Sequence, residues 1–156
     1  MLKALSLMGL LAFGTALIAP ATGHEGATGV VKERMQSMKS MARAGKQLAR
    51  MARGRTPFDP VQAQRLLAEL DRHAERIPGY FPDTVHSRRG SDTEAAPDIW
   101  SKPAAFEGLA RKLSRESRAL SAWLQANGEQ EFAAWFKAVS DTCRGCHKQF
   151  RIKKDR

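Results

Sequence analysis

Apolar residues recur through most of the chain at three- and four-residue intervals, which is the spacing of amphipathic helices. Four segments show this spacing: about residues 28–53, 60–76, 103–126 and 129–152. No run alternates with the period of two that a half-buried strand requires, and β-branched residues are sparse. The pattern therefore predicts an all-α protein with four helices.

The first predicted helix carries an apolar stripe over several turns. Its members lie seven apart, with four-residue steps between them: Val31, Met35, Met38, Ala42, Gly45, Ala49 and Ala52. Met41, Leu48 and Met51 flank this stripe, and Gly54 is the predicted stop, because glycine readily adopts the left-handed conformation that ends helices. We expect the stripe to face the core.

End signals and apolar faces define the other three helices. Asp59 and Pro60 suit the cap and the first position of the second helix. Ser101 or Lys102 precedes the third helix, and Ser101 is the better cap. Glu129 and Glu131 are expected in the first turn of the fourth helix, where the helix dipole favours negative charge. The predicted core faces are Ala63, Leu66, Leu67, Leu70, Ala74 and Ile77; Phe106, Leu109, Leu113, Leu120 and Leu124; and Phe132, Phe136, Val139, Cys143, Cys146 and Phe150.

The connections between the helices predict how they are arranged. Short connections join the first pair and the last pair, and these make neighbouring helices antiparallel. A long connection over residues 78–100 separates the pairs, and we expect it to pack over a site, with residues 80–82 and 99–100 anchored in the core. The economical architecture is an antiparallel up-down-up-down four-helix bundle, and a tandem of helical hairpins is the alternative.

The N-terminus has the features of a secretory signal peptide. A basic start is followed by an uncharged apolar run and by the small-x-small sequence of residues 19–21. Cleavage is expected after Ala21, with Gly23 as the second choice, so residues 1–21 are the signal and residues 22–156 form one mature domain. An uncleaved membrane anchor is the alternative, although the run is shorter than the about 20 residues of a spanning helix. We therefore expect the protein in the periplasm, without stable membrane insertion after cleavage.

Charge constrains the choice of partner. The 156-residue chain has a formal net charge of +10, and the mature chain keeps about +9, because the signal segment holds one lysine and no acid. A basic surface favours an acidic partner protein or an anionic membrane surface, and a merely solvated surface is the alternative. Nucleic acid is a poor partner for an exported chain whose lysines and arginines are dispersed.

The two cysteines of the chain, Cys143 and Cys146, stand in a C-x-x-C-H sequence that ends in His147. Thiols three apart on a helix face the same way, so each can add to one vinyl group of a haem, with the imidazole beneath the iron. A disulfide would close too small a loop to stabilise much, a thioredoxin-like pair belongs at a helix start after a strand, and zinc needs further ligands. The sequence therefore predicts one covalently attached haem c with His147 as an iron ligand.

A methionine is a candidate ligand for the other side of the iron. All four methionines beyond the signal segment lie on the first predicted helix, which would pack beside the fourth in an antiparallel bundle. Met38 is central on the apolar stripe of that helix. Because methionine also fills core space, the pattern by itself leaves a packing role open.

Together these residues resemble the cytochrome c′ family, the class II c-type cytochromes. The resemblance covers most of the mature chain and rests on Val31-Lys32-Glu33-Arg34, Pro57-Phe58-Asp59, Pro97-Asp98-Ile99-Trp100 and the nine residues from Cys143 to Arg151. A haem motif near the C-terminus is characteristic of that family. The resemblance implies one of two iron states. An apolar residue over the iron leaves it five-coordinate, high-spin and open to nitric oxide or carbon monoxide, whereas a methionine there makes it low-spin and an electron carrier.

Within the family, the resemblance implies the low-spin branch. Counted back from Pro57-Phe58-Asp59, the distal position falls on Met38, and residues 80–85 also look like that branch. Met35 and Met41 are the alternatives, because the count leaves an error of one helical turn open.

Three further residues are assigned by the resemblance. Arg34 matches a position whose side chain meets a haem propionate, and it lies four residues before Met38 on the same helix face. A solvated arginine is the alternative. Phe150 and Trp100 look like packing partners of the haem, although plain core packing suits Trp100 equally well.

We therefore expect a periplasmic electron carrier with His147 and Met38 as axial ligands of the iron. Methionine ligation raises the reduction potential and leaves no open iron position, so the expected partner is an acidic redox protein, with a homodimer left open. The alternative is a five-coordinate haem that binds nitric oxide or carbon monoxide. An enzyme is not expected, because the sequence shows no distal histidine and arginine arrangement that would cleave a peroxide.

Overall fold

The computed structural model describes residues 27–89 and 93–152. The expected signal segment, residues 1–21, lies outside the described residues. The elements in chain order are α1 (Gly29–Ala52), α2 (Pro60–Arg76), a 3₁₀ turn (Pro78–Tyr80), α3 (Val85–Arg89), α4 (Asp98–Ser101), α5 (Pro103–Asn127) and α6 (Phe132–Phe150). None of the described helices is long and apolar enough to span a bilayer.

The four long helices form a closed ring of neighbours. α1 packs against α2 and α6, and α5 packs against the same two helices, while the diagonal pairs make no close approach. This arrangement confirms the antiparallel four-helix bundle and excludes the tandem of hairpins, because α1 and α6 come from opposite ends of the chain. The described residues contain no strand, and the isolated bridge between Ala95 and Arg151 is their one β-type pairing.

Leucine is the most frequent residue of the core, and its leucines lie on α1, α2 and α5. Its most completely buried leucines, each at most 2% exposed, are Leu48, Leu66, Leu67, Leu70 and Leu120. Burial of one such side chain contributes about 1.5–3 kcal/mol. Phe58 and Phe132 pack edge to face at 4.9 Å, where the turns before α2 and α6 meet. The predicted face of α2 is confirmed completely, since all six of its residues are buried.

The predicted core face of α1 is wrong by part of a turn. The side chains that point into the core are Val31, Arg34, Ser37, Ala44, Leu48 and Met51. Most of the predicted stripe is only half-buried on the flank of that face, and Ala42 is exposed. The helix carries alanine and methionine on two adjacent faces, so its apolar pattern fitted both orientations. Packing against α2 and α6 selected the one that contains Leu48.

Two predicted start signals are also wrong, although α5 begins at Pro103 as predicted. Ser101 is the last residue of α4, and Lys102 occupies the N-cap position of α5 without a side-chain cap. Glu129 and Glu131 precede α6, and Glu131 has a left-handed backbone with φ of 53°. The chain therefore enters each of these helices through a tight turn. By contrast, the predicted stop at Gly54 is confirmed, with φ of 63° just beyond the end of α1.

The long connection between α2 and α5 contains the 3₁₀ turn, α3 and α4, and it packs on the core as predicted. Ile99 is buried, while Phe81 and Trp100 are half-buried against the core cluster. The Trp100 indole Nε1–H donates to the backbone oxygens of Phe81 and Pro82 at 3.1 and 3.2 Å. These contacts hold the first half of the connection against the second.

The connection is also joined to the end of α6. The backbone N–H of Ala96 donates to the oxygen of Phe150 at 3.0 Å, and that of Ile152 donates to the oxygen of Glu94 at 2.8 Å. The Arg151 guanidinium pairs with the Glu94 carboxylate at 2.6 Å. The connection therefore covers the end of the bundle at which the C-x-x-C-H sequence lies.

Removal of the cap of α2 is expected to destabilise the bundle measurably. Asp59 Oδ1 accepts a hydrogen bond from the backbone N–H of Gln62 at 3.0 Å, and loss of such a cap costs about 1 kcal/mol. We expect Asp59→Ala to lower the free energy of unfolding in urea by this amount. Val61→Ala is the matched control, because Val61 is 78% exposed two residues later. Equal losses in both variants would contradict the capping role.

Candidate functional site

The last turns of α6 present the C-x-x-C-H residues at the edge of the core. Cys143 and Cys146 are free thiols, each half-buried and packed against the core cluster. His147 follows and is an exposed residue. One helical turn thus offers two thiols on the core side and an imidazole beside them.

Burial keeps both thiols protonated. Desolvation is the main cause that raises the pKa of Cys143, and the nearby Glu116 carboxylate raises it further. Desolvation, together with Cys143, raises the pKa of Cys146 to about 11. Thioredoxin-like pairs depend on a lowered thiol pKa at a helix start, whereas these thiols lie near a helix end with raised values. The environment therefore argues against thiol–disulfide redox chemistry.

The surroundings of His147 lower its pKa and so favour the neutral imidazole. Although His147 is an exposed residue, neighbouring atoms desolvate its ring enough to lower its pKa, and the Arg151 charge lowers the pKa further. The Glu94 carboxylate opposes this shift. A neutral imidazole nitrogen is the form that binds iron.

The other described histidines are bonded elsewhere in the bundle. His73 Nδ1 shares a hydrogen bond of 2.9 Å with the Ser37 hydroxyl, and His86 Nε2 lies 3.3 Å from the backbone oxygen of Thr28. Within residues 27–89 and 93–152, no group of three or more His, Cys, Asp or Glu side chains is placed to hold a metal ion. The described residues thus offer no set of ligands of the zinc type.

A polar network that the sequence analysis missed supports the first cysteine. Lys112 Nζ donates to Glu116 Oε1 at 2.6 Å and to the Thr142 hydroxyl at 3.0 Å. Thr142 in turn donates to the second oxygen of Glu116 at 2.5 Å. The spacing of Lys112 and Glu116 is visible in the sequence, but their link to Thr142 exists only because α5 packs beside α6. The network fixes α5 against α6 one residue before Cys143.

The candidate methionines differ in their surroundings. Met51 is 7% exposed within the core cluster, so it fills core space. Met38 and Met41 are half-buried and pack against the edge of that cluster, and Met35 is half-buried as well. All of them lie on α1, the helix that neighbours α6. The assignment of Met38 as the iron ligand stays a prediction.

Arg34 is buried, not solvated. Its Nη2 donates to the backbone oxygen of Ser87 at 2.8 Å and to the Thr93 hydroxyl at 2.7 Å, and its Nη1 donates to the Ser87 hydroxyl at 3.3 Å. The guanidinium also lies over the Phe81 ring at 4.9 Å from its centre. Desolvation lowers its pKa. Sequence reasoning placed Arg34 at the site but missed Ser87 and Thr93, which belong to a segment without helical periodicity.

The donors of Arg34 are not all used. An arginine has five N–H groups, and the bonds to Ser87 and Thr93 occupy three of them. Nε–H and one Nη1–H have no partner among the described residues. Two N–H groups of the side chain thus remain for a further acceptor while it holds the connection.

Aromatic rings link Arg34 to the end of α6. Phe81 packs edge to face on Phe106 at 4.9 Å, and Phe106 packs in the same way on Phe150 at 5.3 Å. Phe150 is 4% exposed, so it belongs to the core as well as to the neighbourhood of the cysteines. Trp100 lies 6.5 Å from Phe81 and has its Nε1–H satisfied by the backbone. The cluster forms an apolar wall at this end of the bundle.

Truncation of Arg34 is expected to loosen the connection. Hydrogen bonds from a charged donor are worth about 1.5–3 kcal/mol, and Arg34→Ala leaves the Ser87 oxygen and the Thr93 hydroxyl without this donor. We expect a loss of about 2–3 kcal/mol in the free energy of unfolding and faster proteolysis within the connection. Arg43→Ala, at an exposed position of the same helix, is the control and should change neither measurement. An unchanged proteolysis rate in Arg34→Ala would refute this role.

The donor set of α6 fits a covalently attached haem. Two protonated, half-buried thiols can each form a thioether bond, and a neutral imidazole on the same turn can bind iron. The rings of Phe81, Phe106 and Phe150 make this end of the bundle apolar, and Arg34 has N–H groups left for a further acceptor.

Known proteins with similar sequences are cytochromes. Residues 29–151 match the family model described as Cytochrome C′. The chain is 33% identical over 127 residues to cytochrome c′ of Rhodopseudomonas palustris (strain ATCC BAA-98 / CGA009), a match that covers 81% of this chain and 84% of the relative. It is 32% identical over 122 residues to cytochrome c-556 of Agrobacterium tumefaciens (strain apple 185), with coverage of 78% and 94%.

Solved structures share the bundle. Cytochrome c′ from Rhodopseudomonas palustris superposes with a TM-score of 0.75 at 32% identity, covering 83% of this chain and 100% of that one. A variant of cytochrome c prime from Alcaligenes xylosoxidans, in its nitric oxide complex, superposes with a TM-score of 0.70 at 25% identity, with coverage of 80% and 94%.

Proposed function

This chain belongs to the cytochrome c′ family, which binds one covalently attached haem c, and on that premise we propose that it is a periplasmic electron carrier with methionine-ligated iron. The haem, when bound, supplies a one-electron couple between ferric and ferrous iron. Everything else falls to the polypeptide, which must hold the ring, bind the iron on both sides, and present a surface to a redox partner.

Covalent attachment of the haem is assigned to residues of α6. Cys143 and Cys146 would form the two thioether bonds, and the His147 imidazole would bind the iron. Support comes from their position on one helical turn, with both thiols packed against the core and a lowered pKa that favours the neutral imidazole. The network of Lys112, Glu116 and Thr142 braces this turn against α5.

The second axial ligand is assigned to Met38, and this residue carries the proposal. It is half-buried on α1, beside α6, and one turn after the buried Arg34. Met51, farther along α1, is buried within the core cluster. A relative is named cytochrome c-556, and the methionine-ligated branch of the family fits that name.

Arg34 and Phe150 are assigned to the surroundings of the haem. The free N–H groups of Arg34 would bind a propionate while its other donors hold Ser87 and Thr93. A charge held in this way also orients the ring. Phe150 would pack against the haem from the apolar wall at the end of α6.

Export and the absence of enzymatic chemistry complete the proposal. The signal segment, residues 1–21, would deliver the chain to the periplasm. The carrier needs no substrate pocket, because a single electron is all that it exchanges.

Visible absorption of the purified, haem-loaded protein tests this proposal. Ferric and ferrous spectra are recorded with and without carbon monoxide. A low-spin spectrum with the weak long-wavelength band of methionine-ligated ferric iron, unchanged by carbon monoxide, is expected. A high-spin spectrum that shifts when carbon monoxide is added would refute methionine ligation.

Gas binding is the second candidate function. A variant of the similar Alcaligenes xylosoxidans protein has been solved as a nitric oxide complex, which favours this candidate. Met38 would then be packing at the edge of the core, in keeping with its half-burial. A carbon monoxide difference spectrum of the ferrous wild-type protein separates the two functions directly.

A further inference from the structure

Basic residues are concentrated on the outer face of α1. Within its 24 residues, α1 holds six basic side chains and one acidic side chain, Glu33. One of the six, Arg34, is buried. The other five and Arg53 at the C-cap are exposed, and they lie seven, four, three, four and three positions apart: Lys32, Lys39, Arg43, Lys46, Arg50 and Arg53. Such spacing puts them on one face, which we name the α1 basic stripe.

The charges of the stripe are not compensated by the described residues. Ion pairs of the described chain join residues on α2, α5, α6 and the long connection, and none includes a residue of α1. On α5, for example, Arg111 pairs with Glu107, and Arg118 pairs with Glu75 on α2. The α1 basic stripe therefore carries an excess of positive charge, whereas several basic residues on the other charged faces are paired with acidic ones. It extends over about 30 Å, since a helix rises 1.5 Å per residue.

We propose that the α1 basic stripe is the docking surface for an acidic protein partner. The purpose of this docking, electron transfer, rests on the proposed electron-carrier function, whereas the docking surface itself does not. Because α1 also carries Met38, a partner on the stripe would lie about one helix diameter, roughly 10–12 Å, from the proposed iron ligand. Electrostatic attraction along such a surface speeds encounter and orients the partner.

Two other occupants fit the stripe less well. A helix that binds a lipid surface combines basic residues with exposed large apolar ones, but the large exposed apolar residues among those described, Val61, Val85, Trp135 and Ile152, lie outside α1. A second copy of the chain, joined through a two-fold axis on this face, would set the stripe against itself. Like charges opposite one another would oppose that contact.

The test compares two charge-reversed triples of the full, haem-loaded chain. The stripe triple is Arg43→Glu, Lys46→Glu and Arg50→Glu, which leaves Met38 and Arg34 untouched. The control triple is Arg65→Glu, Arg72→Glu and Arg115→Glu, at exposed positions of α2 and α5 that take part in no described ion pair. Both triples change the net charge equally. Circular dichroism and the visible spectrum verify that each variant is folded and loaded.

Binding is measured to poly-L-glutamate and, separately, to vesicles of phosphatidylcholine and phosphatidylglycerol in equal parts. We expect the stripe triple to weaken binding to poly-L-glutamate at least about tenfold, and the control triple by less than about threefold. The reason is that salt ions screen charges far from the contact, so that mainly charges near the contact affect binding. Added salt should weaken binding to poly-L-glutamate more in the wild-type protein than in the stripe triple. The proposal is overturned if both triples weaken binding equally, or if stripe-dependent binding to the vesicles is the stronger of the two.

The spin state of the iron is read from the same samples. A high-spin wild type that still binds poly-L-glutamate through the stripe would refute the carrier function and leave the docking surface standing. A low-spin wild type whose binding to poly-L-glutamate is unchanged in the stripe triple would refute the docking surface and leave the carrier function standing.

Discussion

Replacement of Met38 with leucine is expected to convert the protein from low-spin to high-spin. Leucine keeps an apolar side chain of similar volume at the edge of the core, so the bundle should remain folded. It has no lone pair for iron, so the sixth coordination position opens to external ligands. Ferrous Met38→Leu should therefore bind carbon monoxide, and its reduction potential should fall by on the order of 100 mV, because methionine ligation raises the potential.

Neighbouring methionines provide the controls for this prediction. Met35→Leu and Met41→Leu change the same kind of half-buried side chain on the same helix, one turn to either side. Both should keep the low-spin spectrum and the wild-type potential. If one of them loses the low-spin spectrum while Met38→Leu keeps it, that methionine is the ligand. If all three keep it, methionine ligation from this part of α1 is wrong.

Loss of both cysteines is expected to abolish covalent attachment of the haem. The double variant Cys143→Ala and Cys146→Ala removes the two half-buried thiols but leaves His147 and the apolar wall in place. Each thioether requires one thiol, so haem staining of a denaturing gel should disappear completely. Each single variant should retain one bond and stain more weakly.

A nearby polar residue on α6 serves as the control. Ser140→Ala lies one turn before Cys143 and alters no thiol, so its staining should equal that of the wild type. Staining that survives the double variant would contradict attachment through these cysteines. Because mass spectrometry of the intact chain reads haem attachment independently of spin state, it separates this result from a failure of Met38 ligation.

Local chemistry was predictable from the sequence wherever the cause lies within a few residues. The C-x-x-C-H sequence places two thiols and an imidazole on one turn of any helix, so its meaning does not depend on the rest of the fold. Asp59 and Pro60 start α2 as predicted, since a cap bond closes within three residues. Gly54 ends α1 for a similarly local reason, its left-handed backbone.

Packing between helices determined the orientation of α1, which the periodicity of its apolar residues left open. The apolar pattern of α1 suited two orientations, and the one observed turns Leu48 into the core and leaves Met38 on the flank. Ser101 and Glu131 carry signals for caps and first turns, but the path of the chain into α5 and α6 overrode both. Sequence patterns record the preferences of single elements, whereas the choice among them depends on the neighbouring helix.

The sequence by itself determined the helical class and the order of the four long helices, and it predicted the residues that attach a haem. Only the tertiary structure decided how distant segments meet: Arg34 with Ser87 and Thr93, Thr142 with Glu116, and Phe150 with the long connection. It also separated the buried face of α1 from the basic stripe that opposes it. The physical reason is that hydrogen bonds and burial between residues far apart in sequence exist only after the helices have packed.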